Sequence, residues 1–150
     1  MTLLILVLIG AGLIKWFEDK DYFWVLAWPG TVVHEILHAV VGFVLLAQPS
    51  NFSILPRRTD MGMELGSVGF DNLTWYNKLP IAIAPLLAIP VVFIATSVLE
   101  FSATVTGFAT VWILASVLGQ CMPSSQDWRV GFSSPVGVAA WAGVVYLLIR

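Results

Sequence analysis

The chain has 150 residues, 59% of them hydrophobic and 11% charged, with a formal net charge of −2 and a mean hydropathy of +0.91. A soluble domain carries about 25% charged residues, so too few charges remain here to coat a water-facing surface; a free cytoplasmic enzyme, a disordered chain and a disulfide-rich secreted module are excluded. Seven Lys and Arg leave no basic footprint for nucleic acid, and a single cysteine, Cys121, excludes an internal disulfide. The length allows one domain, residues 1–150.

A bilayer core of about 30 Å takes roughly 20 apolar residues as a helix, and five apolar stretches follow in chain order. Residues 2–14 are short and end at Lys15. They lack the charged start and small-residue cleavage site of a secretory signal, so they read as a retained helix. A charged knot over residues 15–21 leads into 22–47, which is long enough to cross. Residues 79–99 form the clearest span, with Pro80, Pro85 and Pro90 expected to bend it or fray its start. Glu100 marks a tight turn before residues 103–122 cross back. After a break at 123–134, the stretch 135–149 is short enough for a partial span. Trp16, Tyr22, Trp24, Trp75 and Trp128 fall where aromatics belt a membrane interface.

The polar segment between the second and third stretches has a different period. Residues 52–55, 57–60 and 63–70 read as strand, turn and strand, with Gly62, Gly66 and Gly69 interrupting the second strand. Lipid cannot satisfy an open strand edge, so such a hairpin must sit in water, in a protein-lined cavity or against another strand. A solvated loop is the alternative. The expected fold is therefore an all-α polytopic membrane protein of about four to five transmembrane or partly embedded helices, with a small membrane-associated β hairpin. If the stretches alternate, Arg57, Arg58, Lys78 and Arg129 lie on one side, and Lys15, Lys20 and Arg150 on the other. The positive-inside rule then puts the first set and the N-terminus in the cytoplasm, in an integral, multi-pass protein of a prokaryotic-type cell membrane.

The chemistry concentrates at His34-Glu35-Ile36-Leu37-His38, which holds both histidines of the chain. On a helix the two lie about 40° apart around the axis and about 6 Å apart along it, so both imidazoles can share one metal ion. Glu35 stands beside the first, placed to activate water and shuttle its proton. Zinc suits such a nitrogen and oxygen donor set in tetrahedral geometry with one open position. Ionisable groups inside an apolar span are costly and mark function by default; a pair of core histidines with Glu35 as counter-ion is the bland alternative.

A catalytic zinc needs a third protein ligand. Asp60, Glu64, Asp71, Glu100 and Asp127 are the acidic candidates, with Cys121 a soft one. Asp127 lies just past the fourth stretch, on the side of the second half of the histidine helix, where the run 121–128 reads as a helix stopped by Pro123. Its bland readings are a surface carboxylate paired with Arg129 or a helix cap. Gln120, Asn77 and Ser124 are candidates to line the cavity or donate to an oxyanion, and Arg57 and Arg58 read as an interfacial anchor.

The stretch Gly30-Thr31-Val32-Val33-His34-Glu35-Ile36-Leu37-His38-Ala39-Val40-Val41-Gly42 resembles the first core helix of the site-2 protease family of intramembrane zinc metalloproteases. Met63-Glu64-Leu65-Gly66-Ser67-Val68-Gly69-Phe70 is similar to that family's membrane-associated β segment, and Ile83-Ala84-Pro85-Leu86 to its small-residue-plus-proline signature. The resemblance implies one zinc ion per chain, with His34, His38 and Asp127 as ligands and Glu35 as the general base. The reaction it implies is hydrolysis of peptide bonds in transmembrane or membrane-adjacent substrates. Where the family has Asn-Pro-Asp-Gly, this chain has Pro123-Ser124-Ser125-Gln126-Asp127, and a minimal core without an accessory domain is expected. Met63, Glu64, Leu65, Gly66, Ser67 and Val68 are the expected substrate-binding residues, holding an extended peptide by strand addition. The expected partners are that peptide substrate and membrane lipid. Two other readings stay open: a zinc-binding membrane protein without protease activity (a sensor, a transporter component or a pseudoenzyme), and a zinc hydrolase acting on a lipid-like substrate.

Overall fold

The structure, a computed structural model, describes residues 1–17, 20, 23–59 and 62–150, the side chains of residues 58, 59 and 62–64 excepted. Glu18, Asp19, Asp21 and Tyr22 of the charged knot and its edge, and Asp60 of the expected turn, lie outside the described residues.

The chain is mostly helical. Helix α1 (Thr2–Trp16) buries Leu3, Val7 and Ile14, a spacing that keeps them on one face. That face packs along α5 (Val105–Gly119), where Val7 joins a core with Val92, Val117 and Cys121. Helix α2 (Phe23–Val44) carries the histidines and packs on α5 from another side. Helix α3 (Lys78–Ile83) passes through a 3₁₀ turn (Ala84–Leu87) into α4 (Ala88–Val98), together one apolar run, Lys78–Val98. Of its three prolines, Pro85 marks the change of winding at the start of the 3₁₀ turn. Proline has no N–H to return to the carbonyl four residues earlier, so the carbonyl of Ile81 lacks its usual helical donor.

The number of spans is smaller than the sequence suggests. Among the described residues two helices, Phe23–Val44 and Lys78–Val98, are long and apolar enough to cross a membrane. A third arises only if α6 (Ser125–Gly131) and α7 (Pro135–Ile149), which meet at a bend of 87°, are taken as one. The first and fourth apolar stretches become helices of 15 residues each; at 1.5 Å per residue each reaches about 22 Å, short of a bilayer core of about 30 Å. The fourth loses residues at both ends to its caps. Thr104 accepts the Gly107 N–H at the start, and the chain leaves the helix after Gly119, ahead of Pro123.

The polar segment is an antiparallel hairpin in two tiers. At the base β1 (Pro49–Ser53) pairs with β4 (Ser67–Phe70), Pro49 opposite Phe70 and Ser53 opposite Ser67. At the tip β2 (Arg57–Thr59) pairs with β3 (Gly62–Glu64), Arg57 opposite Glu64. The first strand thus starts at Pro49 rather than residue 52, and Arg57–Thr59, expected as turn, is strand. The second strand breaks at residues 65–66. The register of β1 and β4 shifts between Ser50 and Ser53, and Asn51 there has φ 49°, a conformation asparagine tolerates better than most residues. The base is tied to the helices by Asn77, which is fully buried. Asn77 accepts the Thr74 N–H and donates to the carbonyls of Asn72 and Leu45.

Candidate metal centre

Pro29 interrupts the hydrogen bonding of α2 one turn before His34, and α5 repairs the break. Gly30 donates its N–H to Ser116 Oγ at 2.8 Å, and that hydroxyl donates to the Ala27 carbonyl at 3.0 Å. The indole of Trp112 donates to the Leu26 carbonyl at 3.1 Å. Ser116 is fully buried, and the helices approach so closely that a Cβ at Gly30 would lie 2.1 Å from the Ser116 carbonyl oxygen. Glycine is required at that crossing. The polar bridge anchors the start of the turn that presents His34, Glu35 and His38.

Each histidine is then fixed by a carbonyl beside a helix break: that of Ile81, which otherwise takes only the Ala84 N–H of the tightened turn, and that of Gln120. His38 Nδ1 lies 2.7 Å from the Ile81 carbonyl, the one Pro85 cannot serve. His34 Nδ1 lies 2.7 Å from the carbonyl of Gln120, just past the end of α5. A carbonyl only accepts, so each Nδ1 carries the ring proton and donates it, leaving each Nε2 as a lone-pair acceptor. The two Nε2 atoms face one another at 3.1 Å. Asp127, at the start of α6, brings Oδ2 to 3.5 Å from His34 Nε2 and Oδ1 to 3.3 Å from His38 Nε2.

With both rings neutral, three acceptors thus converge, an arrangement that could hold a cation at its centre. Zinc–ligand bonds of about 2.0–2.1 Å in a tetrahedron set ligand–ligand separations near 3.3 Å, and the three edges here are 3.1, 3.3 and 3.5 Å. Tying the far ring nitrogen to a carbonyl is also the usual outer support of a metal-bound histidine. Among the described residues, His34, His38 and Asp127 form the group of this kind that can hold a metal ion.

The other candidates fall elsewhere. Asp71 accepts from Ser50 Oγ at the base of the hairpin. Cys121 is buried in the α1–α4–α5 core, and burial pushes its thiol pKa up, away from the thiolate a metal would need. The side chains of Asp60 and Glu64 are outside the described residues. Asn77, a candidate for the cavity wall, is instead the structural tie described above. Asp127 is both a candidate ligand and a helix cap, rather than one or the other.

Two cavities meet at His34 and Glu35. One of about 230 Å³ is walled by His34, Glu35, His38 and Asp127 on one side and by residues 66–70 of the hairpin on the other. The second, about 270 Å³, is more polar and is lined by Thr31, Glu35, Leu65, Gln120 and Ser124. Glu35 is buried, 8% exposed, at the wall between them. Gly66 crosses directly over it; a Cβ there would lie 2.9 Å from Glu35 Cγ. Of the expected substrate-binding residues, Gly66, Ser67 and Val68 line the first cavity and Leu65 the second. Met63 and Glu64 instead belong to the outer tier, paired with Arg58 and Arg57. Sequence reasoning missed the carbonyls of Ile81 and Gln120 and the Ser116–Trp112 bridge. Pro85 and Pro29 were the available signals for the first and last.

No family model, curated protein or solved structure matches this chain, so its function rests on the site itself.

Proposed function

We propose that the chain is a zinc-dependent peptidase that cleaves peptide bonds within or beside the membrane, as its resemblance to the site-2 protease family implies. The convergence of His34 Nε2, His38 Nε2 and an Asp127 oxygen, with each Nδ1 committed to a carbonyl, carries this reading. Two nitrogens and a carboxylate oxygen at tetrahedral spacing suit zinc better than calcium or magnesium, which favour all-oxygen sites. When bound there, a zinc ion would lower the pKa of water and polarise a carbonyl.

The remaining work falls to the protein. Glu35, buried beside His34, takes a proton from the attacking water as its oxygen bonds to the scissile carbonyl carbon. It returns that proton to the amide nitrogen as the C–N bond breaks. Strand β4 is paired with β1, and its residues line the cavity beside the histidines. An extended peptide laid along that strand would bring its backbone carbonyl to the site. A helical substrate must unwind first, because its carbonyls are otherwise occupied. Both cavities are lined in part by α2, a helix able to cross a membrane, which favours membrane-embedded substrates over soluble ones.

The test uses detergent-solubilised protein supplied with zinc and a panel of labelled single-span peptides that carry helix-breaking glycine or asparagine near one end. Cleavage that disappears in Glu35→Gln, with zinc retained, is the expected result. Zinc binding with equal behaviour of wild type and Glu35→Gln on every peptide would favour a non-proteolytic metal protein. Release of fatty acid from the surrounding lipid, lost in the same variant, would favour a lipid hydrolase.

A further inference from the structure

We infer that Ser124 is the positioning residue that aims Asp127 at the two histidines, an inference that rests on the metal reading above. Ser124 precedes α6 with φ −68° and ψ 167°, and the two residues close a reciprocal capping box. Ser124 Oγ accepts the Asp127 N–H at 3.2 Å, and Asp127 Oδ2 accepts the Ser124 N–H at 2.6 Å. A capping box satisfies two N–H groups that the first turn of a helix leaves without partners. Here the carboxylate that closes the box is also the one facing His34 and His38. The short bond from the Ser124 N–H pins Oδ2, so the side chain cannot rotate away and Oδ1 is held toward His38.

The need for such a device follows from the length of α6. Seven residues are too few to hold a helix by their own hydrogen bonds. The box fixes its start. Its end is fixed by Gly131, where a Cβ would lie 2.8 Å from Ala82 Cβ on α3, next to the Ile81 carbonyl that holds His38. The ligands are therefore joined in a closed loop: His38 to α3, α3 to α6, and α6 through the Ser124 box to Asp127. The partners that orient a metal-bound carboxylate typically matter 10–100-fold in metal affinity.

The test measures zinc affinity by chelator competition on the full detergent-solubilised chain, for wild type, Ser124→Ala, Ser124→Pro and Ser124→Thr. Ser124→Ala removes Oγ alone and should weaken zinc about 10-fold. Ser124→Pro suits the observed φ yet removes both Oγ and the N–H, and should weaken it about 100-fold. Ser124→Thr keeps both bonds and should bind as wild type does. In an Asp127→Ala background the same substitutions should leave residual zinc affinity unchanged, and the visible spectrum of bound cobalt should shift with Ser124→Pro only when Asp127 is present. Wild-type affinity in Ser124→Ala and Ser124→Pro, or equal losses with and without Asp127, would overturn the inference while leaving the metal site standing. Failure of the unsubstituted chain to bind zinc would overturn the metal reading and this inference with it.

Discussion

The middle of α2 and the C-terminal helix α7 are both apolar helical segments, yet they are held in opposite ways. Around α2 the neighbouring elements supply polar partners at nearly every break: Ser116 and Trp112 at Pro29, Gln120 at His34, Ile81 at His38. Helix α7 packs on α3, and its last residues, Tyr146 to Ile149, are exposed. Its polar tie is the Trp141 indole, which donates to the Tyr76 carbonyl at 2.6 Å. An exposed apolar helix is what lipid contact requires. A helix with a buried and a half-buried histidine, a buried carboxylate and repaired backbone is costly, and it persists where the arrangement serves a site. The same contrast separates substitutions that should silence the protein from those it should tolerate.

The largest effect is expected at the centre. Glu35→Gln keeps the shape and should lower peptide hydrolysis by about 10²–10⁴-fold, with zinc content unchanged by mass spectrometry. Undiminished turnover would remove Glu35 from the chemistry. Gly30→Ala should come next, because its Cβ would meet backbone rather than a flexible side chain. Forcing α2 off α5 should cost roughly 1–3 kcal/mol, seen as a lower melting temperature in detergent and weaker zinc binding together. Ser116→Ala leaves the buried Gly30 N–H without its acceptor and should cost about 1–3 kcal/mol, with Ser116→Cys giving partial rescue. A melting temperature equal to wild type would show that the Pro29 break does not depend on this bridge. The smallest effect belongs to the periphery: Trp141→Phe should cost about 1 kcal/mol and leave zinc affinity untouched. If it released zinc, the two regions would not be separable as described.

How much of this could be seen in the sequence depended on the range of the interaction. The i, i+4 spacing of His34 and His38 is local, and a helix turns it into a shared face without help from the rest of the chain. Asp127 could be singled out by its position after the fourth apolar stretch, although not its double place as candidate ligand and cap. The carbonyls that orient the histidines were hidden, because Ile81 and Gln120 lie 43 and 86 residues away in the chain and their identity as side chains is irrelevant. Proline at 85 carried the clue, since its absent N–H denies the Ile81 carbonyl its usual i+4 donor and leaves it the Ala84 N–H alone from the backbone. The hairpin was visible as two short strand-like runs around a turn, but its division into two tiers turns on a break at Leu65 and Gly66, where the chain crosses Glu35. The excess of expected spans came from reading apolar length alone. Hydrophobicity does not say where a helix stops; the Thr104 cap and the exit before Pro123 do.

Metal content is the most direct measurement of the central claim. The detergent-purified chain, supplied with zinc and freed of excess, should carry about one zinc ion by mass spectrometry, as a single three-ligand site requires, and Asp127→Ala should lose most of it. A wild-type chain that binds no metal would contradict the account: the three converging acceptors would then be a protonated histidine–aspartate cluster, and the hydrolase reading would fall with the site.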